Sequence, residues 1–181
     1  MNFKKLLSTA ALAIVISLPT FANTDPVDKK KNKEETIVSV AASNDNFTTL
    51  VAAVKAADLV KTLNSDGPFT VFAPVNNAFD KLPKGTVANL LKPENKKLLT
   101  SILTYHVVAG EFKAKDVVKA ITDNGGKFVI KTVQGGKLTA SLKDGKVILT
   151  DVKGNTATVV ITDVDASNGV VHAIDSVVMP Q

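Results

Sequence analysis

Residues 127–150 read KFVIKTVQGGKLTASLKDGKVILT, and the period of that stretch decides the class of the fold. Phe128 and Ile130, then Leu138, Ala140 and Leu142, recur at every second position, the spacing that puts apolar side chains on one face of a strand. Gly135-Gly136 and Asp144-Gly145 separate the runs, and both pairs tolerate the positive backbone angles of tight hairpin turns. Gly154-Asn155 and Asn168-Gly169 continue the punctuation, so the spacing predicts a meander of about five strands from Lys127 to Met179. Lys127, Lys131, Lys137, Lys143 and Lys146 stand where exposed strands carry charge against edge-to-edge pairing.

Upstream the period becomes helical. Phe47, Leu50, Val51 and Val54 fall at i, i+3, i+4 and i+7, with Asn44 or Asp45 available as the cap. Val87, Leu90 and Leu91 form a second stripe. Pro93 suits a first helical turn, and Leu98, Leu99, Ile102 and Leu103 are expected on one face of a third helix. With an additional strand at Phe69–Phe72, helices first and strands last predict an α+β domain rather than alternating α/β units. Roughly 145 residues suffice to form a core without disulfides.

The amino terminus reads as a targeting segment. Lys4 and Lys5 precede an apolar run from Leu6 to Leu18, and Thr20-Phe21-Ala22 supplies small residues at a peptidase site. This predicts a signal peptide over 1–22, with Asn23 as the mature terminus. The run is shorter than the roughly 20 apolar residues a membrane span needs, so no transmembrane segment is expected after processing. Residues 23–36 are dominated by charge, with Val27 the only aliphatic, and read as a flexible linker before a domain over 37–181. The address implied is secretion, to the periplasm, cell surface or medium.

All 22 cationic side chains are lysine, which removes the forked contacts by which arginine reads phosphate and guanine, so nucleic acid is not an expected partner. Within 37–181, 16 lysines face 13 acids. That mild excess suits weak attraction to acidic polysaccharide or anionic surfaces, though an ordinary solvated surface accounts for it more simply. The absence of cysteine excludes disulfides, thiolate metal sites and a cysteine nucleophile.

Three segments then carry a resemblance. Thr70-Val71-Phe72-Ala73-Pro74-Val75-Asn76-Asn77-Ala78-Phe79 resembles the amino-terminal signature of fasciclin domains. Leu103-Thr104-Tyr105-His106-Val107-Val108-Ala109-Gly110 resembles their central Tyr-His segment. Asn168-Gly169-Val170-Val171-His172-Ala173-Ile174-Asp175-Ser176-Val177-Val178-Met179-Pro180 resembles their carboxy-terminal strand signature. The resemblance implies a wedge of β-sheet with helices packed against it. It also implies a non-enzymatic role in adhesion or ligand binding outside the cytoplasm; the expected partner is an envelope or extracellular protein or, from the lysine excess, an acidic polysaccharide. Tyr105 and His106 match the positions associated with adhesion in animal members. Thr70, Phe72, Ala73, Pro74, Asn76, Phe79, Gly110, Asn168, Gly169, His172 and Asp175 match the structural positions of the motifs. Two departures stand out. Val75 replaces a Thr or Ser able to cap the following helix, a role expected to pass to Asn76 or Asn77, and Ala109 replaces a proline.

Chemistry is sparsely signalled. The two histidines, His106 and His172, invite a metal or acid–base pair, but zinc wants three or four ligands with local spacing and none is present. His172 shares parity with Val170 and Ile174, which predicts an inward-facing imidazole that orders backbone groups. Asp163-Val164-Asp165-Ala166-Ser167-Asn168-Gly169 has the look of a calcium loop, yet Asn168 stands at the glycine position and Ile174 at the bidentate Glu position, so a turn between strands is expected. Asn46-Phe47-Thr48 fits a glycosylation acceptor that a bacterial periplasm leaves inert. No catalytic residue, metal site or cofactor is assigned. The alternatives to adhesion are a carrier for a small apolar pigment or lipid and, below it, a hydrolase whose carboxylates converge only in space.

Overall fold

The computed structural model describes residues 35–180. The signal peptide and all of the linker except Glu35 and Thr36 lie outside the described residues. Those two already belong to the packed unit: the Ser167 N–H donates to the Glu35 carbonyl at 2.8 Å, and the Thr36 hydroxyl accepts from the Ser39 N–H.

Thr36 thereby caps α1 (Ile37–Ala42), and Asn44 accepts from the Asn46 N–H to open a 3₁₀ turn at Asp45–Phe47 that leads into α2 (Thr48–Ala56). There follow α3 (Val60–Leu63), β1 (Phe69–Pro74), α4 (Asn76–Asp80), α5 (Thr86–Leu90), α6 (Lys96–Tyr105), β2 (Val107–Ala109) and α7 (Ala114–Asp123). The rest is strand: β3 (Lys127–Lys131), β4 (Lys137–Lys143), β5 (Lys146–Thr150), β6 (Thr156–Ala166) and β7 (Gly169–Ile174). Helices therefore dominate the first half and strands the second.

The seven strands form one sheet in the order β2-β1-β7-β6-β5-β4-β3. Its two ends nearly meet, because Val108 bridges Thr132 and the Val133 N–H donates to the Val107 carbonyl at 2.7 Å. One core, containing Ile130, Leu138, Leu149, Val159 and Ile174, fills the inside of this nearly closed sheet, with Val117 and Ile121 of α7 plugging it. The second core lies between α1–α6 and the other face of β1 and β7, and contains Phe47, Leu50, Val71, Ala73, Leu103 and Val171. Strands β1 and β7 are thus covered on both sides, which explains their unbroken apolar sequence.

Several expectations change. The five strands of the second half exist, but the last ends at Ile174 and runs parallel to β1, so a meander describes only β3–β7. Leu98 is 52% exposed at the margin of the α6 stripe, and Leu142, at a strand end, is 40% exposed. Helix α7 was not legible, since Val117, Val118 and Ile121 are β-branched and favour strands by composition. Val75 leaves α4 uncapped, as expected, but Asn76 does not replace it. Its Oδ1 accepts from the Thr49 N–H and the Thr48 hydroxyl, and its Nδ2 donates to the Asp45 carbonyl, so it orders the start of α2 instead. Asp163 and Asp165 lie on β6, leaving only Ser167 and Asn168 as the turn.

Candidate functional site

The three sequence motifs fold into three neighbouring places: β1, the junction of α6 with β2, and β7. Phe72 joins them. Its N–H donates to the His106 carbonyl at 2.9 Å, and its ring stacks on His172 with centroids 5.7 Å apart.

Tyr105 is the last residue of α6 and His106 its C-cap, so neither lies on a strand. Both side chains are buried, at 0% and 2% exposure. The Tyr105 hydroxyl donates to the Lys137 carbonyl at 2.6 Å, and its ring lies so close to Gly136 that a Cβ there would sit 2.5 Å from a ring carbon. Burial raises the phenol pKa, the Val152 backbone opposes that, and Asp151 adds to it. His106 Nδ1 lies 2.8 Å from the Ile102 carbonyl, which only accepts, so Nδ1 carries the proton and Nε2 accepts from the Val178 N–H at 3.3 Å. Burial, against the opposing pull of the Ile102 carbonyl, lowers this imidazole to about 4. A neutral ring is what the two backbone groups require.

His172 uses the opposite tautomer. Its Nε2 donates to the Phe112 carbonyl at 2.7 Å, and its Nδ1 accepts from the Asp163 N–H at 3.2 Å. Asp163 sits in an irregular part of β6 at φ 55°, and its Oδ1 accepts from the Ala114 N–H at the start of α7. Nearby, the buried Thr70 hydroxyl donates to the Gly110 carbonyl and accepts from the Phe112 N–H. His172, Asp163 and Thr70 together fix the path from β2 into α7.

Asn168 binds the opposite end of β7 to the helices. Its Oδ1 accepts from the Ile37 N–H, and its Nδ2 donates to the Leu63 and Ser65 carbonyls. Gly169 follows because a Cβ there would lie 1.9 Å from the Phe69 carbonyl oxygen. Ala73 is fully buried, Pro74 pairs with Ile174, and Phe79 packs on the helical core. Past β7, Asp175 accepts from the Thr158 N–H and the Ser176 hydroxyl and lies 3.3 Å from Lys81. Burial would raise its pKa, but those partners outweigh it and hold the carboxyl below its ordinary value.

Sequence reading missed Asp151, Asp163 and Gly136. Asp151 is buried, and its carboxylate accepts from the backbone of Lys153, Asn155 and Met179 and from the Asn155 amide. Burial pushes its pKa up, yet the Asn155 amide and the three N–H donors bring it below the ordinary value. The signal available was Asp151 followed by Gly154-Asn155, an Asx-type turn.

The titratable groups of the motifs are therefore occupied by the chain's own backbone. Among the described residues no group of three or more His, Asp or Glu is placed to hold a metal ion. The apolar cavity between α1, α2 and the sheet, lined by Ile37, Leu50, Val54, Leu103 and His106, has a volume of about 30 Å³. Small-molecule pockets run to roughly 300–1,000 Å³, so an apolar cargo would have to part the helices from the sheet. No described helix is long and apolar enough to cross a membrane.

Comparison with known proteins agrees with this arrangement. A family model described as the Fasciclin domain matches residues 45–180. Protein sll1483 of Synechocystis sp. is 48% identical over 95% of this chain and 93% of its own length. Immunogenic protein MPB70 of Mycobacterium bovis is 38% identical over 94% of this chain and 90% of its own length. The solved FAS1 domain pair from the insect cell adhesion molecule fasciclin I shares the fold with a TM-score of 0.70 at 21% identity, over 79% of this chain and 50% of that one. With β1, the α6–β2 corner and β7 all in place, the chain belongs to the fasciclin domain family.

Proposed function

We propose that the protein is an exported, non-enzymatic adhesion or binding module of the cell envelope or extracellular matrix. The observation that carries this reading is the employment of the motif side chains. Tyr105, His106, Thr70, Asn168, His172 and Asp175 all hold backbone segments together, which builds a rigid platform and commits these six side chains to structure rather than to acid–base work. Membership of a family that includes a cell adhesion molecule of the same fold supports it. On this reading Tyr105 and His106 serve adhesion by keeping the platform folded. The apolar run at 6–18, with Thr20-Phe21-Ala22 behind it, supports export.

The test has two parts. Mass spectrometry of the protein from its source should find Asn23 as the amino terminus, and an intact Met1 on membrane-bound protein would contradict export. Purified protein should be retained on an envelope preparation and show no turnover of generic ester or glycoside substrates; turnover without retention would overturn the reading.

A further inference from the structure

The sheet has one large face that no described residue covers. On β3–β6 the register aligns outward-facing residues in rows across the strands: Val129, Thr139, Thr150 and Thr156 in one, Lys127, Ser141, Ile148 and Thr158 in the next. Beyond these rows, at the two ends of the face, Lys131 stands directly opposite Lys137 and Lys143 directly opposite Lys146. Like charges so placed destabilise a strand pair. Among the described residues no acid lies in salt-bridge range of any of the five lysines, and residues 127–150 hold one acid, Asp144 in the turn between Lys143 and Lys146. The neighbouring acids are engaged elsewhere: Asp151 with its own turn, Asp163 with α7, Asp165 with Lys113 and Asp175 with Lys81.

Protection of a sheet edge accounts for Lys127 and Lys131, which lie on the end strand β3. It does not account for Lys137, Lys143 and Lys146, which lie on interior strands. We infer that this open face of β3–β6 is a docking surface for a polyanionic polysaccharide whose units carry carboxylate or sulfate. The inference rests on the adhesion reading above and names the chemistry of its partner.

Three features select that occupant. Lys137 and Lys143 are six residues apart on one strand, roughly 20 Å, which suits a long chain bearing several charges rather than one small anion. Between the lysines lie Thr139, Ser141, Thr150, Thr156 and Thr158, whose hydroxyls both donate and accept, matching sugar hydroxyls. The exposed apolar groups of β3–β6 are the scattered aliphatics Val129, Leu142, Val160 and Ile161, at 55%, 40%, 50% and 40%, without the aromatic anchors of a membrane-surface element, and no aromatic on this face offers a stacking platform for bases.

The experiment is retention of the purified full-length exported protein on immobilised polygalacturonate and on heparin, with neutral dextran and anionic phospholipid vesicles alongside. Binding to the acidic glycans alone is expected, weakening as salt shortens the screening length below about 8 Å. Replacing both members of an opposed pair (K131Q with K137Q, or K143Q with K146Q) should weaken it roughly three- to tenfold. The matched control K61Q with K97Q, on the helical side, should change it less than twofold. Equal loss in the control pair would assign binding to net charge and overturn the site. Preference for vesicles would overturn the ligand. No glycan binding while envelope retention persists would sink this inference and leave the adhesion reading standing; loss of both would remove the two together.

Discussion

The sheet is divided between two kinds of strand. β1 and β7 are buried on both faces, pair in parallel and are held by His106, His172, Thr70 and Asn168. β3–β6 form antiparallel hairpins with one face on the core and the other in water, bordered by lysine. The half that carries the family motifs is thus the half with least surface, while the half with ordinary alternating sequence presents the open face. Sequence motifs in this domain mark where the fold is held, and the proposed docking surface lies on the other half.

Truncation should separate the halves most sharply. Phe72→Ala removes a fully buried ring that stacks on His172 and should cost roughly 3–5 kcal/mol. Val129→Ala on the open face should stay within about 0.5 kcal/mol, both read by urea unfolding. Comparable costs would erase the division.

Acid should loosen the motif half first. The unfolded imidazole of His106 takes up a proton near 6.5 and the folded one near about 4, so the unfolded chain binds more protons in between. Stability should fall by about 3 kcal/mol as pH drops through that window. Asp151 and Asp175, held below their ordinary value of 3.8, keep their contributions until the pH falls further. Unfolding midpoints from pH 7 to 4 check this, and a flat profile in wild type would contradict the buried neutral ring.

Asn168→Ala strips partners from the Ile37 N–H and the Leu63 and Ser65 carbonyls and should cost roughly 2 kcal/mol, with hydrogen exchange rising in α1 and α3 before β3–β6. The smallest effect has the opposite sign. Lys131→Glu sets an acid opposite Lys137 and should stabilise by a few tenths of a kcal/mol, measured at low salt.

Much of this was legible in one dimension because periodicity reports which way a side chain faces. The apolar alternation at Leu138 and Ala140 and the inward His172 followed from spacing alone. Periodicity does not report what a residue faces. That β1 lies between β2 and β7, that Asn76 serves α2 and that Asp163 serves α7 are contacts across 27 to 100 residues, set by packing. Leu98 fits the helical stripe but falls at the margin of the covered face, and coverage is a property of neighbours.

The Tyr-His corner either holds the fold or meets the partner. Urea unfolding and envelope retention, measured on the same purified His106→Ala protein, separate the two. The expected result is a lowered unfolding midpoint with retention per folded molecule unchanged from wild type. An unchanged midpoint with retention abolished would contradict the account and place His106 in the binding epitope.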